Sequence, residues 1–214
     1  MKSTDDSRRG FLVSALSAGL YSVGAMGILQ PVWAMGKIPK QLESGKSIYD
    51  LSGDSSHLIF AVGKDAFILR SNGVIKVEGS GIVSQVRLIS GKLLSVFGKR
   101  SEKQRLSLNT STATIGIRGT GIYLEAEPEQ TYICICYGAA HINAIDDIKS
   151  VERVVSNHHD ASRFVLADQP AGQNIQPAPV FNHTDDELAL IETLVGRAVP
   201  FARGGYSSPR RTNY

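Results

Sequence analysis

The stretch Thr112-Ala113-Thr114-Ile115-Gly116-Ile117-Arg118-Gly119-Thr120-Gly121-Ile122-Tyr123-Leu124 governs the reading of the chain. Ile115 and Ile117 alternate with small residues, the pattern of a half-buried strand. The alternation resumes at Ile122 and Leu124, after glycines at 119 and 121. Gly116, Gly119 and Gly121 lack a Cβ, so the backbone there can bulge, bend or pass close to another strand. Arg118 stands among them with five donors on a planar guanidinium. Two readings fit. Arg118 ties backbone carbonyls together across a glycine-rich corner, or it lies exposed in a binding loop and faces an anionic partner. Gly116, Arg118, Gly119 and Thr120 are therefore one candidate site.

Short apolar runs recur on both sides of this stretch. Residues 57–62 are almost wholly apolar, as expected of a strand buried on both faces. Residues 66–70 and 74–78 flank Ser71-Asn72-Gly73, a hairpin signal because Asn-Gly tolerates the positive φ of tight turns. Further runs at 82–89, 93–97 and 105–109 are punctuated by Gly91 and Gly98. The charged segment 99–105 is expected as a solvated hairpin tip. After residue 138 the strand signals continue through 141–145, 151–155 and 164–167. This spacing predicts an all-β fold, a short-strand β-sandwich or a solenoid-like domain, and no strict repeat period selects the solenoid. One helix follows a Pro-rich connector at 169–183. Thr184 and Glu187 form a capping box, Leu188, Ile191, Leu194 and Val195 make an apolar stripe, and Gly196 and Pro200 end it.

The nine residues 112–120 resemble the signature of the FecR domain family, and Thr131-Tyr132-Ile133-Cys134-Ile135-Cys136-Tyr137-Gly138 fits the Gly-ended strand that follows it there. The similarity runs from about residue 56 to about residue 145. It implies a periplasmic compartment and a fold more firmly than an activity, since the best-known members belong to iron-uptake signalling proteins. Signalling members also carry an anti-sigma segment before a membrane span. Only seven residues precede Arg8, so direct sigma-factor control is not expected.

The N-terminus agrees with that compartment. Ser7-Arg8-Arg9-Gly10-Phe11-Leu12 is a twin-arginine pattern, followed by a weakly apolar run to about Leu29 and a cleavage region ending at Ala34. Residues 1–34 are read as an export signal, with membrane anchoring as the alternative. Residues 35–55 then form a linker, 56–168 the β-domain, 169–183 the connector, 184–199 the helix and 200–214 a tail. The chain has 214 residues, 42% hydrophobic and 20% charged, enough for a packed core. A formal net charge of +3, with no dense basic patch interleaved with aromatics, gives no sign of a nucleic-acid partner.

Cys134 and Cys136 are the only cysteines. Strand alternation puts both on one face with Cα atoms about 6.6 Å apart, which disfavours an unstrained disulfide. They read either as small buried hydrophobes or as half of a soft metal site for zinc or copper. His158 and His159 could complete a tetrahedral set, and His183 offers another imidazole. No Gly-x-Ser-x-Gly elbow, His-Glu-x-x-His or dinucleotide fingerprint with a following helix is present. The expectation is a non-enzymatic, exported binding or sensory module of the cell envelope. Its partner would be a protein or small ligand, with no membrane span after processing. The alternative is a periplasmic metal-binding protein.

Overall fold

The computed structural model of the chain describes residues 40–43, 46–79, 82–101 and 104–201. The twin arginines Arg8 and Arg9, the expected cleavage region and the tail beyond Phe201 lie outside the described residues. In chain order the elements are β1 (Lys40–Glu43), β2 (Lys46–Asp50), β3 (Leu58–Val62), β4 (Asp65–Leu69), β5 (Val74–Gly79), β6 (Val83–Val96), β7 (Leu106–Asn109), β8 (Ala113–Ile117), β9 (Gly121–Ala126), β10 (Gln130–Ala144), β11 (Val151–Ser156), β12 (Ala161–Leu166), β13 (Ile175–Ala178) and α1 (Asp185–Leu194). Among the described residues the fold is all-β with a single helix.

The strands form two layers that share two long bent strands. Sheet A runs β1-β2-β5-β6-β7-β8-β10-β11. Sheet B runs β3-β4-β6-β9-β10-β12-β13. β6 pairs in sheet A up to Ser90 and in sheet B from Gly91. β10 pairs in sheet B up to Tyr137 and in sheet A from Gly138. Both crossing points are glycines in left-handed backbone, φ +86° at Gly91 and +93° at Gly138. That conformation is disfavoured for L side chains. A Cβ would also meet the Gly73 Cα at 2.6 Å or the Gly119 carbonyl oxygen at 2.9 Å. The expected breaks at these glycines are therefore corners within continuous strands, and 131–138 does not end at its glycine.

Two cores result. One fills the space between the sheets with Ile115, Ile117, Ile142 and Leu108 from sheet A and Phe67, Leu124, Ile133 and Val165 from sheet B. The other lies on the far face of sheet B, where Ile68, Leu94, Tyr123 and Tyr132 meet Phe181, Leu188 and Ile191. Sheet B is thus covered on both faces, and β4 and β9 are buried at every position. Sheet A is covered on one, which explains the alternation in β7 and β8.

Several expectations are corrected by this arrangement. The stretch 57–62 is the edge strand of sheet B and only half-buried, with Ala61 exposed. The linker 35–55 holds β2, which pairs with β5, and Tyr49 from β2 stacks on Phe60 at 4.1 Å. The connector 169–183 holds β13, where Pro177 is tolerated because the strand lies at a sheet edge. Segment 99–105 cannot be a hairpin tip, because β6 and β7 pair in parallel. Instead the Arg100 guanidinium is buried against the Asp65 carboxylate at 2.6 Å and donates to the Gly98 and Val83 carbonyls. The helix is shorter than 184–199 and carries the expected capping box: Thr184 Oγ1 accepts from the Glu187 amide, and Glu187 accepts from the Thr184 amide. Among the described residues no helix is long and apolar enough to cross a membrane.

Candidate metal centre

Cys134 and Cys136 project from β10 toward the helix layer, where the first half of that strand is buried on both faces. The loop after β11 bends back over them. His159 sits at φ +53°, and its amide donates to the Cys136 carbonyl at 2.9 Å. Such a backbone is sparsely populated outside glycine and is held here by its surroundings. From the other side, the segment between β13 and α1 brings His183. Asn182 before it has φ +64°, and its side-chain Nδ2 donates to Glu125 Oε1 at 2.6 Å. The His183 ring stacks on Tyr123 at 4.5 Å, and the Tyr123 hydroxyl donates to the same Glu125 oxygen at 2.7 Å.

Four ligand atoms meet as a result. One from each of Cys134, Cys136, His159 and His183 lie within 4.8 Å of one another, and all four residues are buried. No disulfide joins the cysteines. Cys134 Sγ is 3.5 Å from His159 Nδ1, and His159 Nδ1 is 3.0 Å from His183 Nε2. Tetrahedral zinc with Zn–S of about 2.3 Å and Zn–N of about 2.0–2.1 Å gives edges of about 3.6 Å for S···N and about 3.3 Å for N···N. The observed spacings fall close to both.

The outer nitrogen of each imidazole fixes which nitrogen faces the thiols. His183 Nδ1 donates to the Phe181 carbonyl at 2.8 Å, which leaves Nε2 as a lone pair. His159 Nε2 donates to Asp185 Oδ1 at 3.0 Å, which leaves Nδ1 as a lone pair. Two lone pairs 3.0 Å apart require a cation between them, a proton or a metal ion. Partnering of the outer nitrogen by a carboxylate or carbonyl is also how metal-bound histidines are oriented.

The electrostatics point the same way. Burial pushes the Cys134 thiol up, but hydrogen bonds with Cys136, His159 and His183 outweigh it and hold the group well below the usual thiol range. Burial, reinforced by the neighbouring Cys134 thiolate, pushes Cys136 well above that range. Burial lowers His159, but Cys134 and Asp185 more than reverse this and the imidazole ends raised. With no metal ion, Cys134 is thus biased toward the thiolate, Cys136 toward the thiol and His159 toward the imidazolium.

His158 is not part of this quartet. Its Nε2 reaches both Asp185 oxygens at 3.0 Å, and its ring packs on Phe201. It belongs one layer out, with His159 and Asp185. The partner of Cys134, Cys136 and His159 is His183, which residue type alone does not distinguish from the other imidazoles. The Thr184 cap places His183 just before α1 in sequence but not over the sheet, so no local signal singles it out.

The other candidate site is also placed. Gly116 and Arg118 lie on the outer face of sheet A, and Arg118 is exposed. Gly119 has φ +67°, and the corner is held by Thr120, whose hydroxyl donates to the Ala139 carbonyl at 2.9 Å.

No protein-family model and no curated protein sequence matches the chain. It is similar in structure to two crystal structures from Parabacteroides distasonis ATCC 8503, each provisionally described as an anti-sigma factor. The first shares 14% identity with a TM-score of 0.48, over 67% of this chain and 70% of the other. The second shares 15% identity with a TM-score of 0.46, over 64% and 60%.

Proposed function

We propose that this chain is a non-catalytic, FecR-like module of the cell envelope whose sensory element is a metal centre of Cys134, Cys136, His159 and His183. The single observation that carries the reading is the convergence of these four buried ligand atoms from three separate segments. The resemblance of residues 112–120 to the FecR signature, together with the twin arginines Arg8 and Arg9, supports export to the periplasm.

Zinc is the ion the donor set fits best. Two thiolates and a divalent cation sum to zero charge, which suits a site with no exposed ligand. Copper(I) suits the thiolates as soft donors but leaves a net negative charge beside the Asp185 carboxylate. Two ligands come from the sheet, His159 from the loop after β11, and His183 from the strap that leads into α1. Occupancy therefore fastens the strap to the sheet, and loss of the ion loosens it.

The test is elemental analysis of protein purified without chelators, beside a Cys134→Ser/Cys136→Ser variant. One zinc per parent chain, absent from the variant, is the expected result. A parent that is empty and takes up neither Zn²⁺ nor Cu⁺ under reducing conditions removes the metal reading and leaves a binding module with buried, inert cysteines.

A further inference from the structure

Cys134, Cys136, His159 and His183 are each 5% exposed or less. A divalent ion arrives hydrated and exchanges waters for ligands as it binds, so a site this deep needs an entry path. His159 links the four ligands to a second group. One ligand atom from each of His158, His159 and Asp185 lies within 4.8 Å of the others. His158 Nε2 is 3.0 Å from both Asp185 oxygens, and Asp185 Oδ1 is 3.0 Å from His159 Nε2. The opposite nitrogen of His159 faces Cys134. The His159 ring therefore stands between the Asp185 carboxylate and the thiols. Unlike the inner four, this second group reaches solvent, because the His158 side chain is 33% exposed. Asp186, which is exposed, follows Asp185 and adds negative potential at the surface.

The donors also grade inward. One imidazole and one carboxylate, completed by water, make a weak and quickly exchanging site for zinc. Two thiolates and two imidazoles make a strong one. A cleft of about 350 Å³ also reaches His183, but its charged walls are Arg70, Lys92 and Glu187. Glu187 is paired with Arg70 there. His183 Nε2 is turned toward His159, and Nδ1 donates to the Phe181 carbonyl. That cleft therefore presents a cation with two positive charges and no imidazole lone pair.

We propose, resting on the metal reading above, that His158 and Asp185 form an outer receiving site for a divalent cation, through which the buried centre is filled and emptied. The ion first takes His158 Nε2 and the Asp185 carboxylate, with water as its remaining ligands. It then exchanges these for Cys134, Cys136, His159 Nδ1 and His183 Nε2, and the waters and displaced protons pass to solvent. Asp185 is left accepting from His159 Nε2, the bond that orients the filled centre.

The test is stopped-flow mixing of the metal-stripped full chain with Co²⁺, whose thiolate charge-transfer absorption reports arrival at Cys134 and Cys136. Release is followed by mixing the loaded chain with a chelator. His158→Ala should slow loading and release by the same factor, about tenfold, since a receiving site that concentrates the ion raises the rate at which it enters. The equilibrium constant should change far less. His158→Glu should recover both rates, because a carboxylate also holds the ion. Lys92→Ala, in the other cleft, should leave both rates as they are. Unaltered rates in His158→Ala overturn the proposal, as does a loss of affinity that matches the loss of loading rate. Rates that respond to Lys92→Ala and not to His158→Ala overturn it in favour of the other cleft. A parent chain that never develops the thiolate absorption overturns the metal reading itself, a result distinct from loading that ignores His158.

Discussion

Asp185 shows how much one side chain decides in the proposed metal centre. Its carboxylate accepts from His159 Nε2 and thereby commits His159 Nδ1 to the thiols. Asp185→Asn should weaken zinc binding about 10–100-fold, the usual consequence of losing the group that orients a ligand histidine, read by competition with a chromogenic chelator. His158→Ala should change the same constant far less, because His158 groups with Asp185 and lies outside the set of four ligand atoms. Protonation gives a second expectation. Between the lowered value of Cys134 and the raised value of Cys136 the free site holds one thiol proton, and zinc must expel it. Below the raised value of His159 a second proton leaves from the imidazole. Zinc affinity should therefore rise with pH, by about one log unit per pH unit in the first range and more steeply in the second. A pH-independent constant would contradict this assignment of protons.

Among the elements, α1 and the strap before it are the parts most dependent on the centre. Burial of Leu188 and Ile191 contributes about 1.5–3 kcal/mol each. The Thr184 cap contributes about 1 kcal/mol, so Thr184→Ala should lower stability by about that amount in denaturant titration. The Arg70–Glu187 pair at 2.7 Å adds little, since both side chains are partly solvated. Chelation of the metal should raise amide hydrogen exchange across 181–195 and leave sheet A protected. Strand β9 makes a sharper test of packing. A Cβ at Gly121 would lie 2.3 Å from the Tyr137 ring, whose hydroxyl donates to Glu192 on the helix. Gly121→Ala should cost about 1–3 kcal/mol through overpacking, where Gly116→Ala should cost nothing.

At the scale of the whole molecule, the strands were legible wherever one face is wet. In β7 and β8 alternation marks which residues face the core. Sheet B was harder to read, because β4, β9 and the first half of β10 are covered on both sides and their apolar runs carry no facing information. Gly91 and Gly138 read as breaks because a left-handed corner and a strand end use the same residue. Two cysteines and a histidine of the centre were legible from residue type and spacing. The choice of His183 over His158 was not, because it depends on how the strap crosses sheet B, a long-range contact with no local signal. The measurement that bears most directly on the centre is X-ray absorption at the metal edge of protein purified without chelators. Two sulfurs at about 2.3 Å and two nitrogens at about 2.0–2.1 Å are expected, with one nitrogen lost in His183→Ala and both retained in His158→Ala. A shell without sulfur, or one that keeps both nitrogens in His183→Ala and loses one in His158→Ala, would contradict the four-residue centre.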